Sequence, residues 1–212
     1  MDRWPNPRTV LADVAGNISL RGDPDHLSDD PGEQLAGFVD APESFVPVLR
    51  NLDPGMLTWE RVIFEFPGEA VRPAQPAPAV RRLAAADADA IAGLAEDIRW
   101  IAASLGGPVE LARSELAWGA FDDGRLVSVA VPFYLGERYE DVGVVTERAF
   151  RCRGWSTACA AAVIADISAR GRRVTWSTST DNPASLGVAN RLGFHRVRGD
   201  VLYLLRIPIP AG

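Results

Sequence analysis

The sequence predicts an α/β protein of the α+β kind, with a mixed central sheet flanked by helices and a smaller N-terminal α/β half-domain. Three observations predict it. Strand-like and helix-period segments interleave from residue 78 to the C-terminus. Asp122-Asp123-Gly124 separates two apolar runs, a strong hairpin signal. A strand over Tyr139–Thr146 runs into the loop Arg151-Cys152-Arg153-Gly154-Trp155-Ser156, and an Ala-rich helix runs out of it. A strand-to-helix turn around glycine gathers backbone N–H groups at a positive helix end, which is an anion site suited to a pyrophosphate.

The N-terminal part begins with two short strands, Val10–Val14 and Ile18–Arg21, around an Ala15-Gly16-Asn17 turn. A polar loop covers His26–Gly32, and Gln34–Asp40 is weakly periodic. Ser44 opens a helix whose Phe45, Val48, Leu49 and Leu52 share a face, ended by Asp53-Pro54-Gly55. Leu57–Phe66 alternates as a strand. Pro67, Pro73, Pro76 and Pro78 then mark a linker. The expected organisation is an accessory domain at 1–70, a linker at 71–77 and a main domain at 78–212.

The main domain opens with a strand at Ala79–Leu83. A helix follows from Ala86 or Asp87 to about Ser104, on the period of Ile91, Leu94, Ala95, Ile98 and Ile101, broken by Gly106-Gly107-Pro108. Glu110–Ser114 reads as a helical turn. The hairpin strands are Leu116–Phe121 and Arg125–Val131, with Pro132 ending regular pairing. The helix Thr157–Arg170 is apolar around most of its axis and closes on Gly171. A strand at Val174–Thr180, a helix at Ala184–Leu192 ended by Gly193, and a hairpin of Phe194–Val197 and Val201–Ile207 about Arg198-Gly199-Asp200 complete the chain.

Composition narrows the class. At 212 residues, 47% hydrophobic and 24% charged, the chain is long enough for a soluble globular core. It has no apolar run of membrane-spanning length and no signal-peptide core at Met1–Pro5, so a cytoplasmic location is expected. A net charge of -6 argues against a nucleic-acid partner. All basic residues other than His are Arg, so lysine chemistry is unavailable. Cys152 and Cys159 have neither disulfide context nor zinc spacing and read as packing residues, with a reactive thiol near the positive helix end as the alternative for Cys152; no metal is expected.

The pattern Arg151-x-x-Gly154-x-Ser156 resembles the acyl-CoA loop of the GCN5-related N-acetyltransferase (GNAT) family, with Ser in place of a final Gly or Ala. Asn182-Pro183-Ala184-Ser185, continuing to Leu192-Gly193-Phe194, resembles that family's second signature. The resemblance covers residues 78–208 and implies a GNAT fold with acetyl-CoA, or another acyl-CoA, as cofactor. It implies pyrophosphate contacts from the backbone of Cys152, Arg153, Gly154, Trp155, Ser156 and Thr157, with charge-assisted contacts added by Arg151 and Arg153. Trp155 also reads as a packing residue. The resemblance places pantetheine contacts at Val144, Thr146, Asn182 and Ser185. It places the general base at Glu140, on the strand face of Val142 and Val144, and an oxyanion donor at the Val144 N–H. Glu140 equally reads as an exposed strand-start carboxylate beside Glu137 and Asp141. Ala189 stands where many members carry the Tyr that protonates the thiolate; Tyr139 and Tyr203 are the substitutes to consider. The N-terminal part is similar to the half-domain that precedes the catalytic domain in some members.

The expected activity is acetyl transfer from acetyl-CoA to a primary amine on a small acceptor, by a monomer or homodimer. The acidic balance favours a cationic acceptor such as a polyamine, an aminoglycoside or an amino-acid amine. The alternatives are a non-catalytic acyl-CoA-binding regulatory module and an interaction domain on the same scaffold.

Overall fold

A computed structural model describes residues 1–27, 35–68 and 80–209. The expected linker at 71–77 and residues 28–32 of the polar loop lie outside the described residues. The chain forms two compact units. The first takes Met1–Arg61, Ser179–Asp181 and the chain from Gly199 onward; the second takes Val62–Thr178 and Asn182–Arg198.

In the first unit, β1 (Thr9–Val14) and β2 (Asn17–Gly22) form an antiparallel hairpin. Its two-residue turn puts Ala15 and Gly16 at φ 52° and 78°, the left-handed geometry that matches strand twist, and the Asp13 carboxylate accepts from the Gly16 N–H. Strand β3 (Gly37–Asp40) runs parallel to β2. A 3-10 turn at Glu43–Phe45 leads into α1 (Val46–Leu52), which buries Leu49 with Phe45, Ile18, Leu20 and Val39. Strand β4 (Leu57–Glu65) follows.

The second unit contains β5 (Val80–Arg82), α2 (Ala88–Ala92), α3 (Pro108–Arg113), β6 (Trp118–Asp122), β7 (Arg125–Leu135), β8 (Tyr139–Thr146), α4 (Trp155–Ala169), β9 (Arg173–Ser179) and α5 (Pro183–Arg191). Strand β10 (His195–Leu205) completes the chain's regular elements. Strands β5 to β8 pair antiparallel in sequence order, and β8 pairs parallel with β9. The sheet is therefore mixed, with helices on both faces. On one face α4 packs with Val142, Trp176 and Phe194; on the other, α2, α3 and the segment between them pack with Val129, Val131 and Val145. Val163, Ile164 and Ile167 of α4 are fully buried, each contributing about 1.5–3 kcal/mol. The Arg81 guanidinium grips Asp87 ahead of α2 and holds its carboxyl below the usual range. That contribution is present at neutral pH and is lost as acidification protonates the carboxyl.

Three expected elements differ. The single helix over 86–104 is α2 followed by a 3-10 segment, Glu96–Leu105, because the Ala95 N–H leaves the helical ladder to donate to Glu147 Oε1 at 3.0 Å. Strand β7 continues past Pro132: register shifts between Pro132, opposite Val142, and Tyr134, opposite Asp141, so Phe133 is the extra residue of a bulge. The expected C-terminal hairpin is one continuous strand, β10. Gly199 lacks the positive φ a tight reversal uses, Arg61 holds Asp200 at 2.6 Å, and Tyr203–Leu205 pair with Gly37–Val39.

Candidate active site

The site is organised by the crossover β8–α4–β9. Strands β8 and β9 stay in register only from Tyr139 to Asp141, opposite Arg173 to Thr175. Backbone direction along β8 follows from neighbouring bonds. The Glu147 N–H donates to Val127 and the Val145 carbonyl accepts from Ser128 Oγ, so odd-numbered backbone groups face β7. The Glu140 carbonyl faces β9, where Thr175 Oγ1 donates to it. The N–H and C=O groups of Val142, Val144 and Thr146 therefore point toward β9, along an edge that no strand pairs with beyond Asp141 among the described residues. This open edge runs about 17 Å from Asp141 to Thr146.

The edge leads to the loop. Cys152 at φ 62° and Gly154 at φ 83° turn the chain into α4 in two left-handed steps. The first intrahelical bond is Ala158 N–H to the Gly154 carbonyl at 3.0 Å, and no side chain caps the helix. The N–H groups of Gly154, Trp155, Ser156 and Thr157 are thus left without intrahelical acceptors, and the first turn carries no acidic residue. A Cβ at Gly154 would meet nothing within 4 Å, so the approach is open. Arg151 and Arg153 are exposed. Arg151 Nε donates weakly to the Thr146 carbonyl, while Arg153 and Arg125 each lie 5.5 Å from the Phe150 ring. Such a cradle fits a dianionic pyrophosphate. Trp155 packs against the α4 core, with its indole N–H buried and unpaired among the described residues. Cys152 is exposed; Cys159 is buried, which pushes its thiol up to about 12.

Asn182 is the N-cap of α5. Its Oδ1 accepts from the Ser185 N–H at 3.0 Å, and Pro183 occupies the first helical position, where its missing N–H costs nothing. Ser185 Oγ accepts from the buried Trp176 indole at 3.0 Å. The two expected ligand residues are thus fixed by bonds of their own, and the Asn182 NH₂ group is the part left to meet a ligand.

Glu140 does not sit as expected. Alternation does place it on the face of Val142 and Val144, but that face is covered by α4. The carboxylate is 3% exposed, and both of its oxygens accept from Arg170 at 2.5 and 2.7 Å. Arg170 follows α4 at its C-terminal end, where the helix dipole favours a cation, and the carboxylate beside it raises the guanidinium's pKa further. With both oxygens engaged and the side chain buried, Glu140 ties the start of β8 to the C-terminal end of α4.

The opposite face carries a second carboxylate, Asp141. Asp141 Oδ1 accepts from Thr175 Oγ1 at 2.7 Å and Ser177 Oγ at 3.1 Å, at the point where β8 and β9 part. The sequence signal was Asp141 beside Glu140; choosing between them needs the knowledge of which face α4 covers. Ala189 is fully buried in the α4 core, so no acid stands there. Tyr139 is exposed at the other end of β8, its hydroxyl accepting from Arg173 at 2.9 Å. Tyr203 lies in the core of the first unit, where burial and the charges of Glu43 and Asp200 hold its phenol above the ordinary value.

An open parallel strand pair ending at an uncapped helix N-terminus is an arrangement that can receive an extended ligand with an anionic end. The GNAT acetyltransferase family pattern matches residues 116–203. An uncharacterized N-acetyltransferase in the mutA 5′ region of Streptomyces virginiae is 42% identical over 176 residues, covering 80% of this chain and 73% of that protein. A GCN5-related N-acetyltransferase-like protein from Streptococcus suis superposes with a TM-score of 0.73 at 18% identity, over 95% of this chain and 85% of that one. A GCN5-related N-acetyltransferase from Kribbella flavida gives 0.59 at 17% identity, over 92% and 82%. The chain belongs to the GNAT acetyltransferase family and is an acyltransferase. No helix among the described residues is long and apolar enough to cross a membrane.

Proposed function

We propose that the protein transfers an acetyl group from acetyl-CoA to a primary amine on a small-molecule acceptor. The observation that carries this reading is the continuous open edge of β8, ending at the four orphan N–H groups of α4 and flanked by Arg151 and Arg153. The pyrophosphate of the cofactor takes the N–H groups of residues 151–157. Its pantetheine arm takes the backbone groups of Val144 and Thr146, with Asn182 and Ser185 alongside. When bound, acyl-CoA supplies an activated acyl carbon: a C–N bond forms as C–S breaks, and the amine's proton ends on the CoA thiol. The Val144 N–H faces the gap and is the oxyanion donor. Asp141 takes the proton from the amine, in place of Glu140.

Ala189 favours a second reading, an acyl-CoA-binding module without turnover, because it leaves no phenol to protonate the thiolate. CoA thiol release in the presence of a primary amine separates the two. With turnover in hand, Asp141→Asn is expected to lower kcat by about 10²–10⁴-fold at unchanged acetyl-CoA affinity. Glu140→Gln is expected to keep kcat within a few-fold while lowering stability by about 1.5–3 kcal/mol, the worth of a charged hydrogen-bond pair. Lost turnover in folded Glu140→Gln, with Asp141→Asn active, would return the base to Glu140.

A further inference from the structure

The bulge in β7 does something the acetyl-transfer chemistry does not require. Consecutive strand residues normally point to opposite faces. Here the rings of Phe133 and Tyr134 lie 5.0 Å apart edge-to-face, so the extra residue turns both onto one face. That face is the one away from α4, since Phe133 packs with Val129, Val131 and Val145. Trp100, from the 3-10 segment Glu96–Leu105, meets Phe133 edge-on at 5.5 Å and remains 47% exposed. Gly143 keeps the floor low: a Cβ there would stand 3.1 Å from Ile101 and 3.2 Å from Phe133. Tyr134 is directly opposite Asp141 in the register, and directly opposed residues share a face with Cα atoms about 4.5–5.5 Å apart. The result is a run from a hydroxyl-braced carboxylate, past two rings, to a half-exposed indole.

We infer that this run is the acceptor site, and that it selects a primary amine carried on an aromatic or bulky apolar body. The ammonium group pairs with Asp141, while the body lies along Tyr134, Phe133 and Trp100. Aromatic rings beside a cation add attraction to its charged head, and ring-to-ring contact adds more along the body. Thr175 and Ser177 hold the carboxylate in place by donating to Oδ1. A polyamine or an aminoglycoside, with charges spread along its length, gains nothing from the apolar wall.

This inference rests on the acyl-transfer reading, and the test separates the two. Acetyl-CoA is first titrated by calorimetry; no binding there overturns the acyl-transfer reading and this inference together. With binding established, CoA thiol release is measured with 2-phenylethylamine, ethylamine, spermidine and an aminoglycoside. The expected result is a kcat/KM for 2-phenylethylamine at least tenfold above each of the others. Trp100→Ala, a change at a half-exposed position, is expected to erode that advantage at least fivefold, mostly through KM. Saturation-transfer NMR on the CoA complex provides a readout besides turnover: the phenyl protons receive signal, and Asp141→Asn removes it. Preference for spermidine or the aminoglycoside overturns the inference while leaving acetyl transfer intact. So does a Trp100→Ala variant that keeps the full preference.

Discussion

Ser156→Glu is expected to weaken acetyl-CoA binding at least a hundredfold and to leave the unliganded fold intact. Ser156 is the second residue of α4, among N–H groups with no acceptor of their own. A carboxylate introduced there sits at the positive end of the helix, where it stabilises by about 0.3–1 kcal/mol. The same charge occupies the ground an anionic pyrophosphate needs and repels it. Stability and binding therefore move in opposite directions, which general damage to the fold does not produce. The checks are calorimetric affinity and the thermal midpoint with and without ligand. At a hundredfold excess over Kd, wild-type protein gains about 2.7 kcal/mol from the ligand. The variant keeps or slightly raises its ligand-free midpoint and gains almost nothing on addition of acetyl-CoA. Unchanged affinity would remove the loop from the site.

Trp176→Ala costs about 3–5 kcal/mol, the range for deleting a large buried aromatic side chain. Trp176 is 2% exposed, packs edge-on against Phe194 at 5.7 Å, and donates its indole N–H to Ser185 Oγ. Ser185 in turn donates its N–H to the Asn182 cap. One side chain thus fills the core beneath α4 and holds the first turn of α5 in place. Urea unfolding measures the first effect. Trp176→Phe keeps most of the ring and loses the bond, so it is expected to cost about 0.5–1.5 kcal/mol for that bond plus a smaller packing loss. In variants that remain folded, the freed Ser185 and a looser Asn182 cap are expected to lower acetyl-CoA affinity. A Trp176→Ala protein of wild-type stability would contradict the packing described for this core.

Local chemistry made much of the second unit legible. Asp123 and Gly124 take the positive φ values that an Asp-Gly hairpin turn needs. Gly154 and Asn182 each end a strand-to-helix connection in the manner their residue types favour. Helix α4 starts at Trp155, two residues ahead of the expected Thr157, and Trp155 itself packs against the core. What failed was decided elsewhere in the fold. Gly199 looked like a turn because Arg-Gly-Asp is turn composition, yet the strand continues through it, with Asp200 held by Arg61 and Tyr203–Leu205 paired with Gly37–Val39. The helix over 86–104 kept its apolar period but gave up its ladder to Glu147, fifty-two residues away. Glu140 is the instructive case at the site. Period-two alternation assigned its face correctly, but alternation does not say which face a helix covers. That depends on the α4 crossover, which buries Glu140 against Arg170 and leaves Asp141 on the opposite face. The aromatic run was hidden for a related reason: a bulge cancels alternation, so Phe133 and Tyr134 share a face that the sequence assigns to only one of them.

The central claim is that an acyl-CoA lies along the open edge of β8 with its pyrophosphate on the first turn of α4. Titrating isotope-labelled protein with acetyl-CoA while following assigned backbone amide resonances tests it most directly. The account predicts saturable shifts concentrated at Val144, Thr146 and residues 151–157, with smaller ones at Asn182 and Ser185. Tyr139 and Glu140, at the far end of the strand, stay in place. Saturable shifts that leave Gly154–Thr157 untouched, or no shifts at millimolar acetyl-CoA, would contradict it.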